Sequence, residues 1–90
     1  MVKGRALVHV EGRVQGVGFR KFCGNTAKDL DLKGLAKNLQ DGRVEVIVEG
    51  EAMSIENFLK RIKNPRLPAQ VSKVDVDWEE FKNEFRDFSW

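Results

Sequence analysis

Cysteine and histidine occur once each in this chain, as Cys23 and His9, and tyrosine does not occur at all. One cysteine excludes an internal disulfide, and one thiol with one imidazole cannot assemble a Cys/His metal cluster, so a bound metal would have to rest on carboxylates. No metal or other cofactor is expected. No apolar run is long enough to cross a bilayer, and residues 1–10 carry Lys3 and Arg5 in place of a signal peptide's apolar stretch. The expected location is the cytoplasm, without a membrane partner. Internal repeats and low-complexity segments are also missing. Nor is one sign of charge in excess: 16 Lys and Arg stand against 14 Asp and Glu, a formal +2, with both signs scattered. A nucleic-acid face would gather basic residues with aromatics between them. Lys33, Lys37 and Arg43 come nearest and read as solvated surface, so no nucleic-acid partner is expected.

What remains suits one small folded domain covering 1–90. The chain of 90 residues is 41% hydrophobic and includes six Phe and two Trp, enough for one packed core. Ala6, Val8 and Val10 alternate along residues 5–11, which marks a half-buried strand ending at Gly12. The period then changes: Phe19, Phe22, Cys23, Thr26, Ala27 and Leu30 recur at three and four residues and line one helix stripe. That helix is expected to end near Asp31, with Cys23 in the core. Residues 34–40 and 43–50 read as two antiparallel strands joined by Asp41-Gly42, a dipeptide suited to the positive dihedrals of a tight hairpin. In the second, Val44, Val46 and Val48 face one way and Glu45 and Glu49 the other, as in a sheet covered on one side. Parity puts Ala36 and Asn38 on one face, and His9 on the less covered face as a surface residue.

Ile55, Phe58, Leu59 and Ile62 return to helical spacing, and the segment stops before Pro65 and Pro68. Val74, Val76 and Trp78 alternate again. Phe88 and Trp90 suggest a short edge strand after a charged turn near Lys82 and Asn83. The order β-α-β-β-α-β plus a tail implies an α+β, ferredoxin-like split βαβ sandwich, with two helices on one face of an antiparallel sheet. Such a fold hosts many functions, so function has to come from a site.

The segment from Gly12 to Arg20, GRVQGVGFR, puts three glycines where a strand hands over to a helix. Glycine lets successive N–H groups converge, and the helix N-terminus adds free N–H groups and the positive end of its dipole. The backbone of Gln15, Gly16, Val17, Gly18 and Phe19 is therefore a candidate anion cradle. It is neither a Walker A loop, which ends in Gly-Lys-Ser/Thr, nor GxGxxG, because Lys21 stands at the third glycine. Arg20 opens the helix, where a cation opposes the dipole by ~0.3–1 kcal/mol, and a bound anion would give it a purpose. On these residues alone each feature also has a plain reading: a structural turn, a surface arginine, and in Asn38 a polar residue beside a hairpin.

The GRVQGVGFR segment resembles the first signature of the acylphosphatase family. Gly34 to Val44, GLAKNLQDGRV, resembles the second, Gly-x-x-Lys-Asn followed by Gly-x-Val and later by Gly50. The resemblance covers nearly the whole chain. One departure is Leu35, where the family usually has an aromatic; parity sets it opposite Asn38, on the surface and away from the chemistry. The resemblance implies hydrolysis of a small-molecule acyl phosphate without a metal. Arg20 and the loop amides would hold the phosphate and Asn38 would orient the attacking water. An amide takes no proton near neutral pH, so Asn38 would not be a base, and the water's proton would go to a phosphate oxygen of the substrate. A monomer is expected, and a chain ending at Trp90 suits a free-standing enzyme.

Two rivals share the fold. An RNA-binding sheet would need exposed aromatics on its central strands, where this chain offers Leu7, His9, Glu45 and Glu49. An acylphosphatase-like module that binds phosphate or another ligand without turnover, for example in handling carbamoyl phosphate, is the alternative reading.

Overall fold

The structure, a computed structural model, describes residues 2–66 and 68–90. Its elements run β1 (Lys3–Arg13), α1 (Phe19–Asp29), β2 (Lys33–Asn38), β3 (Val44–Glu51), α2 (Ala52–Ile62), β4 (Gln70–Glu79) and β5 (Phe88–Ser89). The sheet has five strands in the order β4-β1-β3-β2-β5. The alternation of Ala6, Val8 and Val10, of Val44, Val46 and Val48, and of Ala36 puts all of these residues on one face and buries them. There they meet Phe19, Cys23 and Ala27 of α1 and Ile55, Phe58, Leu59 and Ile62 of α2. This is the expected ferredoxin-like α+β architecture.

Several boundaries and pairings differ from the sequence reading. Strand β1 does not stop at Gly12: a bulge between Glu11 and Gly12 shifts its register against β4, and pairing continues to Arg13 and Gln70. Helix α2 begins at Ala52, directly after β3, with no intervening linker. The hairpin between β2 and β3 is not a two-residue turn with both residues at positive φ. Leu39 O accepts from Gly42 N at 3.3 Å, and only Gly42, at φ 97°, is left-handed. Asp41 instead turns its carboxylate on Arg43, taking bonds from the main-chain N at 3.1 Å and from Nε at 2.8 Å.

The sheet is also mixed. β1, β2, β3 and β4 pair antiparallel, but β5 lies parallel to β2, with Gly34 opposite Phe88 and Leu35 opposite Ser89. The cause is the path of residues 80–87. β4 and β5 are opposite edges, and four strand spacings separate them, roughly 19 Å. Eight residues can reach roughly 27 Å, so this segment crosses the sheet at the end where β4 finishes. β5 therefore starts at that end and runs with β2.

The crossing also covers part of the outer face. Lys82 N and Glu84 N donate to the two carboxylate oxygens of Glu49 at 2.7 and 2.8 Å. Phe85 lies under the Arg5 guanidinium, 5.5 Å from it. Glu49 is thereby 2% exposed and Arg5 is buried beside it, although alternation had put both on an open face. His9 departs in the same direction: it is half-buried and shares a 2.9 Å hydrogen bond between Nε2 and Glu45 Oε1. Cys23 is buried in the core as its stripe position implied, and burial pushes its thiol up to about 12.

Candidate active site

The register of the sheet brings both sequence segments to one end of the molecule. Val10 of β1 pairs with Val44 of β3, and Val44 pairs with Asn38 of β2. Asn38 thus lies two strands from Val10, roughly 10 Å across the sheet. The loop that leaves β1 therefore emerges at the same end as Asn38. Residues 33–38 alternate so that Asn38 shares the helix side with Ala36, as parity required, but it stands beyond the core and is exposed.

Gln15 joins the two segments directly. Its side-chain Nε2 donates to Leu39 O at 2.8 Å and to Arg43 O at 2.9 Å. Those carbonyls already accept the hairpin's own bonds, Gly42 N to Leu39 O at 3.3 Å and Leu39 N to Arg43 O at 2.8 Å. One amide group therefore docks the loop onto the turn that follows Asn38. The sequence reading assigned Gln15 to the cradle through its backbone and missed this role of its side chain. The type of residue was the only available signal, since the amide nitrogen of Gln carries two hydrogens and can donate to two carbonyls without bringing a charge.

The loop itself has the conformation its glycines permit. Gly16 and Gly18 sit at φ 73° and 78°, left-handed values that ordinary side chains resist. Gly18 is the N-cap of α1 and offers no side chain to cap it, and the first helical bond is Phe22 N to Gly18 O at 3.0 Å. Among the described residues, no main-chain N–H from Gln15 to Lys21 donates to a protein oxygen. This run of free donors sits at the positive end of the α1 dipole. No acidic residue occupies the first turn.

Arg20 is half-buried at the start of α1 and forms no hydrogen bond or ion pair among the described residues. It lines a cavity of about 150 Å³ with Gly16, Gly18, Phe19, Lys21 and Trp90. No Asp or Glu side chain lies on that lining, and Arg20 and Lys21 bring two cations to it. Asn38 is not part of this wall. Asn38 is tied to it through the Gln15 clamp, and its own side-chain amide makes no hydrogen bond among the described residues. Trp90, which the sequence reading used only as a sign of an edge strand, is the wall residue that reading missed. Its parity with Phe88 was a usable signal, because Phe88 is buried on the helix side.

A larger cavity of about 390 Å³ lies at the opposite end, beneath the 80–87 crossing, between Lys3, Lys33, Glu49, Asn83 and Phe85. Its charges are of both signs, and Glu49 already spends its oxygens on Lys82, Glu84 and Arg5. It lacks converging donors. Among the described residues no group of three or more His, Cys, Asp or Glu is arranged to hold a metal, and no helix is long and apolar enough to cross a membrane.

Comparison with known proteins agrees with this geometry. The Acylphosphatase family model matches residues 6–90. An acylphosphatase from Thermus thermophilus is 51% identical over 77 residues, which cover 84% of this chain and 86% of that protein. The crystal structure of acylphosphatase from Bacillus subtilis superposes with a TM-score of 0.88 at 34% identity, covering 96% of each chain. Full-length HypF in its phosphate- and nucleotide-bound form contains a similar unit, with a TM-score of 0.88 at 34% identity over 98% of this chain and 12% of that one. The sequence segments, the sheet that aligns them and these relatives agree: the chain belongs to the acylphosphatase family, hydrolases of small acyl phosphates.

Proposed function

We propose that the hydrolysis proceeds by in-line attack of a water oriented by Asn38 on a phosphate held by Arg20 and the main-chain amides of Gln15 to Phe19. The observation that carries this reading is the run of N–H groups from Gln15 to Lys21 without a protein acceptor among the described residues, with Gly16, Gly18 and Phe19 lining one small cavity beside the unpaired Arg20 guanidinium. An acyl phosphate is already an activated anhydride, and its phosphorus is shielded by the charge of its own oxygens. Catalysis therefore requires neutralisation and positioning above all. Planar Arg20 can grip two phosphate oxygens, and the loop amides can take the others.

Asn38 supplies a carbonyl that accepts from the water and an NH2 that donates. The water oxygen bonds to phosphorus as the bond from phosphorus to the acyl oxygen breaks, and the carboxylate leaves with that electron pair. The water's proton passes to a phosphate oxygen, so the products are a carboxylate and inorganic phosphate. No protein group has to act as a base or nucleophile. A metal is not required either: no Asp, Glu, His or Cys side chain lines the cavity, and Arg20 and Lys21 supply the positive charge there. The direct test follows benzoyl phosphate by its absorbance with a strong chelator present. Undiminished turnover is expected. Turnover abolished by chelator and restored by a divalent cation would overturn the metal-free reading.

A further inference from the structure

Gly24 stands in the middle of α1, where glycine costs about 1 kcal/mol against alanine. The space its missing side chain leaves is filled by an aromatic ring. A Cβ on Gly24 would come within 2.5 Å of the six-membered ring of Trp90, too close for any real contact. Lys21, Gly24 and Lys28 are three and seven positions apart and form one stripe of the helix. The indole lies along that stripe. Lys28 Nζ sits 5.4 Å from its centroid, and Arg20 and Lys21 meet it at the cavity. Pairing of β5 beside β2 fixes the approach, because Trp90 follows the ladder that sets Leu35 opposite Ser89 and so heads toward the Asn38 end.

The ring is therefore seated, but it is not fully covered: Trp90 remains 46% exposed. The open part of the ring stands at the cavity that Arg20 lines, and in an acyl phosphate the atom next to the phosphate is the acyl oxygen, so the acyl group is the part of the substrate within its reach. We propose that the Trp90 indole is the platform for the acyl group, giving the enzyme a preference for aromatic acyl phosphates over short aliphatic ones. This rests on the phosphate site proposed for Arg20 and the loop amides. The phosphate is gripped by charge and N–H donors, and the acyl group lies against the indole, where an aromatic ring gains offset stacking that a methyl group lacks. Substrates sharing one phosphate are then separated by what the indole touches.

The test measures kcat/KM for benzoyl phosphate and acetyl phosphate in the unaltered protein, Trp90→Ala and Gly24→Ala, with the inhibition constant of inorganic phosphate for each. Removing the ring should lower the benzoyl-to-acetyl ratio roughly threefold to tenfold while the phosphate inhibition constant moves by less than about twofold. Gly24→Ala keeps the indole but displaces it, and improves the helix, so it should lower the ratio in the same direction. A simple loss of stability would not produce that pair of results. An unchanged ratio in Trp90→Ala, or equal losses on both substrates with weakened phosphate inhibition, overturns the platform while leaving the phosphate site standing. An unaltered protein that cleaves neither substrate and is not bound by phosphate removes both proposals together.

Discussion

Gln15 shows how a single side chain can couple two parts of a site that sequence treats separately. Its amide nitrogen holds Leu39 O and Arg43 O, the two carbonyls that close the hairpin after Asn38. Loss of those bonds frees the turn relative to the loop. Gln15→Met keeps the length and the loop backbone but has no donor, and two hydrogen bonds of this kind are worth about 0.5–1.5 kcal/mol each. The expected result is a fall in kcat of about tenfold with phosphate inhibition changed by less than about threefold, because the loop amides proposed to hold the phosphate remain. Steady-state kinetics with phosphate as inhibitor checks it. Equal losses in both quantities would instead assign Gln15 to the cradle alone. At this scale the sequence revealed residue types but not partners: Arg20, Asn38 and the glycines were legible through two family segments, whereas the target of the Gln15 amide depends on a contact 24 positions away.

Among the elements, alternation and helical spacing located every strand and both helices, because each buries one face or one stripe against the same core. Cys23 illustrates how far that inference reaches. Its place in the α1 stripe predicted burial, and burial explains the thiol pushed up to about 12, hence largely protonated and unreactive at neutral pH. Element ends were less legible. The bulge at Glu11/Gly12 and the turn that leaves Gly42 alone at positive φ are set by cross-strand geometry, which period-two patterns do not encode. Trp90 escaped for a related reason: its parity was readable, but the space over Gly24 that receives it belongs to a different element.

For the whole molecule, the feature least visible in the sequence is the 80–87 crossing. Its residues look like a charged turn, yet they pass over one end of the sheet and bury Arg5 with Glu49. Arg5 Nη1 lies 3.3 Å from Glu49 and 2.7 Å from Glu84, and its Nε donates to Glu79 at 2.9 Å. Burial pushes the Glu49 carboxyl up, but the Lys82 and Glu84 amides and the Arg5 guanidinium outweigh burial and hold it below the ordinary value of 4.5. A carboxylate with a lowered folded value stabilises fully above its unfolded value and loses that contribution as pH falls through the folded one. Glu49→Gln should therefore cost about 1–3 kcal/mol at pH 7, because the amide NH2 then faces one of the two main-chain N–H donors and leaves it unsatisfied, while Arg5 keeps Glu79 and Glu84. The difference from the unaltered protein should shrink as pH is lowered below 4.5 and through the depressed folded value. Urea denaturation across that range measures it, and a penalty independent of pH would contradict the assignment. The crossing keeps these charges at the end of the sheet opposite Asn38, so stability and chemistry can be altered separately.

The division of labour between Arg20 and Asn38 is the central claim, and one paired measurement addresses it: kcat for benzoyl phosphate beside the inhibition constant of inorganic phosphate in Asn38→Ala and Arg20→Ala. A fixed charge for the phosphate and a neutral amide for the water predict that Asn38→Ala lowers kcat by at least about a hundredfold while phosphate inhibits as before. Arg20→Ala should weaken phosphate inhibition and turnover together. Normal turnover in Asn38→Ala, or phosphate inhibition unchanged in Arg20→Ala, would contradict the account.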